Sequence, residues 1–365
     1  MAIRKFRKHM KPFIWFITIA FALSTAIVGL MSFKDMHGRL DNYAFKLNGE
    51  KVQRIEIERT KSTLNQNFSH YLGQNLDRSM LDSVAFDEVI NKKLTLEIAD
   101  DLHVNVSSGE INSQYKAIEK SLNNKEQFKR MLAAQGYTRK TYKKEIEENL
   151  LIQKTFEKIA STIKPTDEEL KNYYDRNQYS VYNNKPFEEV ENSVKESYIQ
   201  TRTMDEYFAL LGSKKSNMKL ENVESSYIKD EPKVVISKDG FDITNVNIIK
   251  KAMEFMMKKE TKEQAMEDAK KYYIEQIELI KKIQEAGINN VDKNLPLDYQ
   301  IGKYQQEYFE KVKDSIEPTN EELQKYFKSN SLYKGSDFNT IKDEVKEDYK
   351  NEEAQKRIVK FISNN

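Results

Sequence analysis

No cysteine occurs in the 365 residues. Disulfides, thiolate catalysis, a cysteine zinc site and cysteine lipidation are thereby excluded, and the folded parts must be held by packing alone. Glycine and proline are scarce, at 11 and 6 residues, which speaks against a turn-rich β architecture. All four histidines (His9, His37, His70 and His103) lie in the first third of the chain. No Gly-rich phosphate loop, His-Glu-x-x-His or Gly-x-Ser-x-Gly motif is present, so no nucleotide, metal or other cofactor is expected. Leu211-Gly-Ser-Lys-Lys215 has a lysine without the loop spacing. The carboxylates are scattered along charged stretches as solvated faces, and no catalytic residue is nominated. Charge of one sign is also lacking: 60 Lys and Arg oppose 58 Asp and Glu, which gives nucleic-acid binding no support.

One long apolar run breaks this pattern. Residues 12–33, PFIWFITIAFALSTAIVGLMSF, carry no charge. As a helix they would extend about 33 Å, enough for a hydrocarbon core of about 30 Å. Arg4, Lys5, Arg7, Lys8 and Lys11 precede the run without an acid among them, which predicts a cytoplasmic amino terminus and an extracytoplasmic remainder. A cleaved signal peptide is the competing reading. Its apolar core is typically shorter, and Gly29-Leu-Met-Ser-Phe33 makes a poor cleavage site, so an uncleaved single-pass anchor in the cytoplasmic membrane is expected. The rest, with 32% charged residues overall and a mean hydropathy of −0.77 for the chain, reads as water-soluble and mainly α.

The expected order is a basic tail (1–11), the anchor (12–33), a linker (34–42), a first helical domain (43–226) and a second (227–365). A hairpin is predicted at Asn48-Gly49. Phe86, Ile90, Leu94, Ile98 and Leu102 recur every four residues on one helix. Ser107 with Glu110 predicts a capping box, as does Thr166 with Glu169. Gly136 would close a short helix over Gln127–Ala134, and Thr138 would cap the next. A long helix from Pro186 to about Leu211 completes this part.

The plan then recurs. Pro318-Thr-Asn-Glu-Glu-Leu323 repeats Pro165-Thr-Asp-Glu-Glu-Leu170, and Tyr326 and Phe327 match Tyr173 and Tyr174. Phe338, Ile341, Val345 and Tyr349 match Phe187, Val190, Val194 and Tyr198, while Asp239-Gly240 repeats the hairpin turn 191 residues on. The second copy is shorter and is expected to lack the small helices near 107–145. Its main helix carries Ala265, Ala269, Tyr273, Ile277, Ile280 and Ile283 on one side, with Gly287 as its stop.

These features resemble the SurA/PpiD/PrsA group of extracytoplasmic folding factors, the membrane-anchored PpiD type most of all. The resemblance rests on the anchor, Leu47-Asn-Gly-Glu-Lys-Val52, Val89-Ile90 through Glu97, Ala99 and Leu102, Gln127-Phe128 with Leu132 and Gly136, Leu150-Leu151 with Gln153, and the Pro-Thr-Asp-Glu-Glu-Leu helix. It covers about residues 1–213, and the remainder only through the repeat. It implies two related SurA-N-like helical domains, each with a small β-hairpin, the second degenerate. The family inserts a parvulin prolyl-isomerase domain after the capped helix. Here Pro186-Phe187 follows Asn177 within nine residues and no histidine lies beyond 103, so the isomerase module is expected to be missing.

The resemblance implies an ATP-independent holdase for newly translocated polypeptides at the outer face of the membrane. Adaptable aromatic and methionine side chains suit varied clients, which makes Tyr173, Tyr174, Met253, Phe255, Met256, Met257, Tyr326 and Phe327 candidate client-binding residues. Each has an ordinary core role as its alternative, since helix-spaced aromatics usually pack. Two other functions stay open: an anchored scaffold docking a specific partner such as the translocon, and a prolyl isomerase by family membership.

Overall fold

The computed structural model describes residues 43–72, 77–122, 124–178, 181–182, 185–223, 231–258 and 260–363. The expected anchor at 12–33 lies outside these residues. Among the described residues no helix is long and apolar enough to cross a membrane.

The architecture is mainly α. Strands β1 (Tyr43–Leu47) and β2 (Glu50–Gln53) form an antiparallel hairpin. Asn48 and Gly49 turn with φ of 52° and 87°, the left-handed pair that matches strand twist. Helices α1 (Arg54–Leu72), α2 (Arg78–Asp101), α3 (Ser108–Ser121), α4 (Lys125–Ala134), α5 (Arg139–Thr162), α6 (Asp167–Asn177) and α7 (Phe187–Asn217) follow. Each expected cap forms: the Ser107 hydroxyl accepts from the Glu110 N–H while Glu110 Oε2 accepts from the Ser107 N–H at 2.9 Å. Thr166 and Glu169 exchange the same pair, answering two otherwise unpaired helix-start donors.

A strand the repeat pattern does not announce, β3 (Leu220–Glu221), then adds to the outer side of β1. The first sheet thus has three strands in the order β2-β1-β3, where a simple hairpin was expected. The second plan contains β4 (Val234–Lys238), β5 (Phe241–Thr244), α8 (Asn245–Met256), α9 (Lys262–Glu285), α10 (Leu297–Asp314), α11 (Asn320–Ser329) and α12 (Lys342–Ser363). Here β4 and β5 make a two-stranded sheet. Helix α10 was not foreseen from the sequence.

The chain resolves into two compact units, each drawn from several stretches of the sequence. One draws on the described residues within Met1–Ile163, Thr203–Ser237 and Asp242–Tyr272, and the other on Lys164–Arg202, Lys238–Phe241 and Tyr273–Asn365.

In the first unit, Phe45 of β1 meets Phe86 of α2 with ring centroids 4.4 Å apart. Val52, Ile57, Ile90, Leu94, Ile98 and Leu211 complete that core. Burying each such side chain contributes about 1.5–3 kcal/mol. Tyr115, Phe128, Leu132, Tyr142 and Ile146 make a separate core among α3, α4 and α5. Its rings meet edge-on, as at Phe128 and Tyr142, 5.8 Å apart, an arrangement the ring quadrupole favours. Arg59 of α1 closes α4: its Nε and Nη2 donate to the carbonyls of Gln135 and Gly136 at 3.0 and 2.7 Å. Its guanidinium also lies 3.5 Å from the Tyr137 ring centroid.

In the second unit, Tyr273, Ile277, Ile280 and Ile283 of α9 are buried, as are Leu297, Ile301 and Tyr304 of α10. Tyr273 donates to Asp298 Oδ1 at 2.8 Å, and Gln284 Nε2 donates to the Tyr304 hydroxyl at 2.9 Å. Gly287 ends α9 at φ 89°, and Lys311 Nζ caps the free Ala286 carbonyl at 2.7 Å. The buried Lys313 of α10 pairs with Glu347 of α12.

Candidate functional site

Eight aromatic and methionine residues were nominated, and the structure distributes them over three places. Tyr173 and Tyr174 belong to the α6–α7 hairpin. Tyr174 is buried, donates to the Lys185 carbonyl at 2.7 Å and stacks on Tyr182 at 5.9 Å. Phe187 meets its ring edge-on at 5.3 Å. Tyr173 is half-buried and stands edge-on to Tyr198, whose hydroxyl donates to Glu169 Oε1 at 2.9 Å. The capping glutamate therefore also anchors the ring opposite it. Its carboxyl lies below the ordinary range because the Thr166 N–H and then the Tyr198 hydroxyl stabilise the charged form.

Tyr326 and Phe327 occupy the matching place between α11 and α12, in a separate cluster with Leu323, Tyr333, Phe338, Val345 and Tyr349. Both are half-buried. Phe327 stacks on Tyr333 at 5.6 Å, and the Tyr326 and Tyr333 hydroxyls donate to Glu352 and Asp348 at 2.9 and 2.8 Å. Burial, and then the accepting carboxylate, push both phenols above their ordinary range.

The methionines lie elsewhere, on α8. Met253 and Met256 are enclosed in the core. Phe255 is half-buried, edge-on to Tyr272 at 6.4 Å. Met257, 38% exposed, is the most open of the four. Phe255, Met257, Tyr173, Tyr326 and Phe327 therefore keep some accessible surface, while Tyr174, Met253 and Met256 serve their own cores.

Two further features escaped the sequence. Asp87 of α2 is nearly buried and accepts from Lys215 of α7 at 2.8 Å and from Lys250 of α8 at 3.1 Å, while Glu88 holds Lys250 at 2.8 Å. Burial opposes ionisation of Asp87, but Lys250 and Lys215 more than offset it, holding the carboxyl well below the usual range. This is a structural clamp. The second is the exposure of β4, an expected strand of the later hairpin, where Val234 and Val235 are 50% and 43% exposed. Among the described residues no group of three or more His, Asp or Glu side chains is placed to hold a metal ion.

The SurA-like N-terminal domain family matches residues 2–156. Foldase protein PrsA of Clostridium botulinum strain 657 is 28% identical over 177 residues, covering 44% of this chain and 51% of that protein. Foldase protein PrsA of Clostridium kluyveri is 27% identical over 226 residues, covering 55% and 62%. The chain thus spans about half the length of the curated relatives it matches. No solved structure matches.

Proposed function

We propose, from a chain whose residues 2–156 carry the SurA-like N-terminal domain of the SurA/PrsA extracytoplasmic folding factors, that it is an ATP-independent holdase for unfolded polypeptides. The apolar segment at 12–33 anchors it, with most of the chain on the outer side of the cytoplasmic membrane. The observation carrying this reading is the domain match, joined to relatives named as foldases. Clients are newly secreted polypeptides, held by apolar and aromatic side chains and released by equilibrium, since no nucleotide motif is present. The reading carries no prolyl-isomerase chemistry; what supports this is the connection from the end of α6 at Asn177 to the start of α7 at Phe187, shorter than an inserted catalytic domain of the expected size.

The test uses the full chain in lipid nanodiscs. Aggregation of chemically denatured citrate synthase, followed by light scattering, is expected to fall at stoichiometric ratio. A prolyl-peptide isomerisation assay is expected to show the uncatalysed rate. Undiminished aggregation would sink the holdase reading, and clear catalysis would overturn the exclusion of isomerase chemistry.

A further inference from the structure

The two hairpins of the repeat differ at one edge. In the first, the outer side of β1 is occupied: Lys46 and Leu47 pair with Glu221 and Leu220 of β3. Beyond them, the Asn48 N–H donates to the Lys219 carbonyl at 2.9 Å, and Asn48 Oδ1 accepts from the Lys219 N–H at 2.9 Å. The counterpart of β1 in the second hairpin is β4, with Ser237, Lys238 and Asp239 in the places of Lys46, Leu47 and Asn48. Asp239 even repeats the backbone of Asn48, with φ of 51° against 52°. Yet β4 has only β5 beside it: among the described residues no third strand pairs with its outer side.

An edge strand presents a row of unanswered N–H and C=O groups, and proteins normally blunt it with charge or proline. Pro232 and Lys233 precede β4 and Lys238 ends it, but between them Val234-Val-Ile-Ser237 carries neither. Its valines are half exposed, and β-branched residues favour the extended backbone. By the alternation of a strand, the outward peptide group nearest the turn is that of Ser237, as it is that of Lys46 in β1.

We infer that the outer edge of β4 takes up an extended, unfolded polypeptide segment as an added antiparallel strand, in the register that β3 adopts on β1. The occupant has the chemistry of β3: an extended run with an apolar side chain between polar neighbours, Lys219-Leu-Glu221. Backbone hydrogen bonds supply the affinity, which makes the site tolerant of client sequence. The inference rests on the holdase reading and gives it a location.

The probe is a fluorescein-labelled peptide of the chain's own residues 217–223, Asn-Met-Lys-Leu-Glu-Asn-Val, added to the full chain in nanodiscs and followed by anisotropy. Saturable binding is expected. Ser237→Pro removes the outward donor while leaving the inward ladder to β5, a place where an edge strand tolerates proline. It should weaken binding about tenfold, the worth of one backbone hydrogen bond. A peptide N-methylated at alternate residues, which needs no altered protein, should fail to bind. Circular dichroism of Ser237→Pro checks that the fold is kept. Absence of binding, or equal binding of the methylated peptide, overturns the proposal. So does a dimer in light scattering that Ser237→Pro dissociates while the peptide does not bind, since the edge then serves a second copy. If wild type and Ser237→Pro suppress citrate synthase aggregation equally, the edge is not where clients are held, and the holdase reading stands without it. If neither suppresses aggregation but the peptide binds in a Ser237-dependent manner, the edge site stands and the holdase reading falls.

Discussion

Replacing Asp87 by asparagine tests how the first unit is held together. The substitution keeps the size of the side chain and removes the charge that α7 and α8 share through Lys215 and Lys250. Breaking a fully buried ion pair costs about 3–5 kcal/mol, and an exposed one is worth about 0–1 kcal/mol. Asp87 is 12% exposed at its side chain, but its lysines are 35% and 37% exposed, and Lys250 keeps Glu88. Solvent screening of the lysines places the loss between the two limits, at about 2 kcal/mol. Because two compact units need not unfold together, a single global transition is the wrong measurement. Native-state hydrogen exchange of the α2 amides reads the local opening. In Asp87→Asn their protection should fall about thirtyfold at pH 7. Asp87 ionises more readily in the folded state than in the unfolded chain. Its contribution is therefore present above the unfolded carboxylate pKa, about 3.9, and fades as the pH drops through the lower folded value. The gap between wild type and variant should accordingly narrow below about pH 4. Equal protection at pH 7, or a gap that stays constant down to about pH 2, would refute the clamp.

The remaining predictions concern local geometry. Gly240→Ala meets no neighbour within 4 Å at φ +82°, so it should cost only the left-handed backbone strain, about 1–2 kcal/mol, read by local hydrogen exchange of the β4–β5 amides. Gly136→Ala adds contact with Ile55 Cδ1 at 3.3 Å to the same strain and should cost more; the reverse order would contradict the packing of α4 on α1. Thr166→Ala and Thr319→Ala should each destabilise their helix start by about 1 kcal/mol, read as faster amide exchange in α6 and α11. The Glu169 and Glu322 carboxyls lie below the ordinary range through hydrogen bonds from their capping residues. Protection of both helix starts should thus be full above the ordinary glutamate pKa and fall as acid protonates these groups. Phe128→Ala should cost about 3–5 kcal/mol in the α3–α5 core, seen as early loss of that region in a denaturant series. An effect under about 1 kcal/mol would mean the cluster collapses to fill the gap.

What the sequence disclosed was what short-range chemistry determines. Asn48-Gly49 and Asp239-Gly240 turn because those residues tolerate left-handed backbone, and Ser107, Thr138, Thr166 and Thr319 cap because their hydroxyls reach the N–H three residues on. Helix α10 was missed for the complementary reason. Its N-cap, Pro296, makes no side-chain cap bond, and the polar Gln300, Glu310 and Lys313 are buried beside Leu297, Ile301 and Tyr304, so no cap announces it and its apolar stripe is diluted. Strand β3 is two residues long and exists through its pairing with β1, over 170 positions earlier. Asp87 lies 128 residues from Lys215 and 163 from Lys250, a meeting that no local pattern records. Of the eight nominated residues, their helix spacing was legible, but whether each faced inward or outward depended on packing partners elsewhere.

The first hairpin turn also sets how the molecule ages. Asparagine before glycine is the dipeptide most prone to spontaneous conversion into aspartate. Asn48 Nδ2 donates to Glu97 Oε1 at 2.8 Å, so that conversion would turn a hydrogen bond into two facing carboxylates. The later turn already carries the acid, with Lys281 Nζ 3.6 Å from Asp239 Oδ1, and has nothing of the kind to lose. Storage damage should therefore begin at the first hairpin, loosening the strand set around β1 while leaving the β4–β5 hairpin intact.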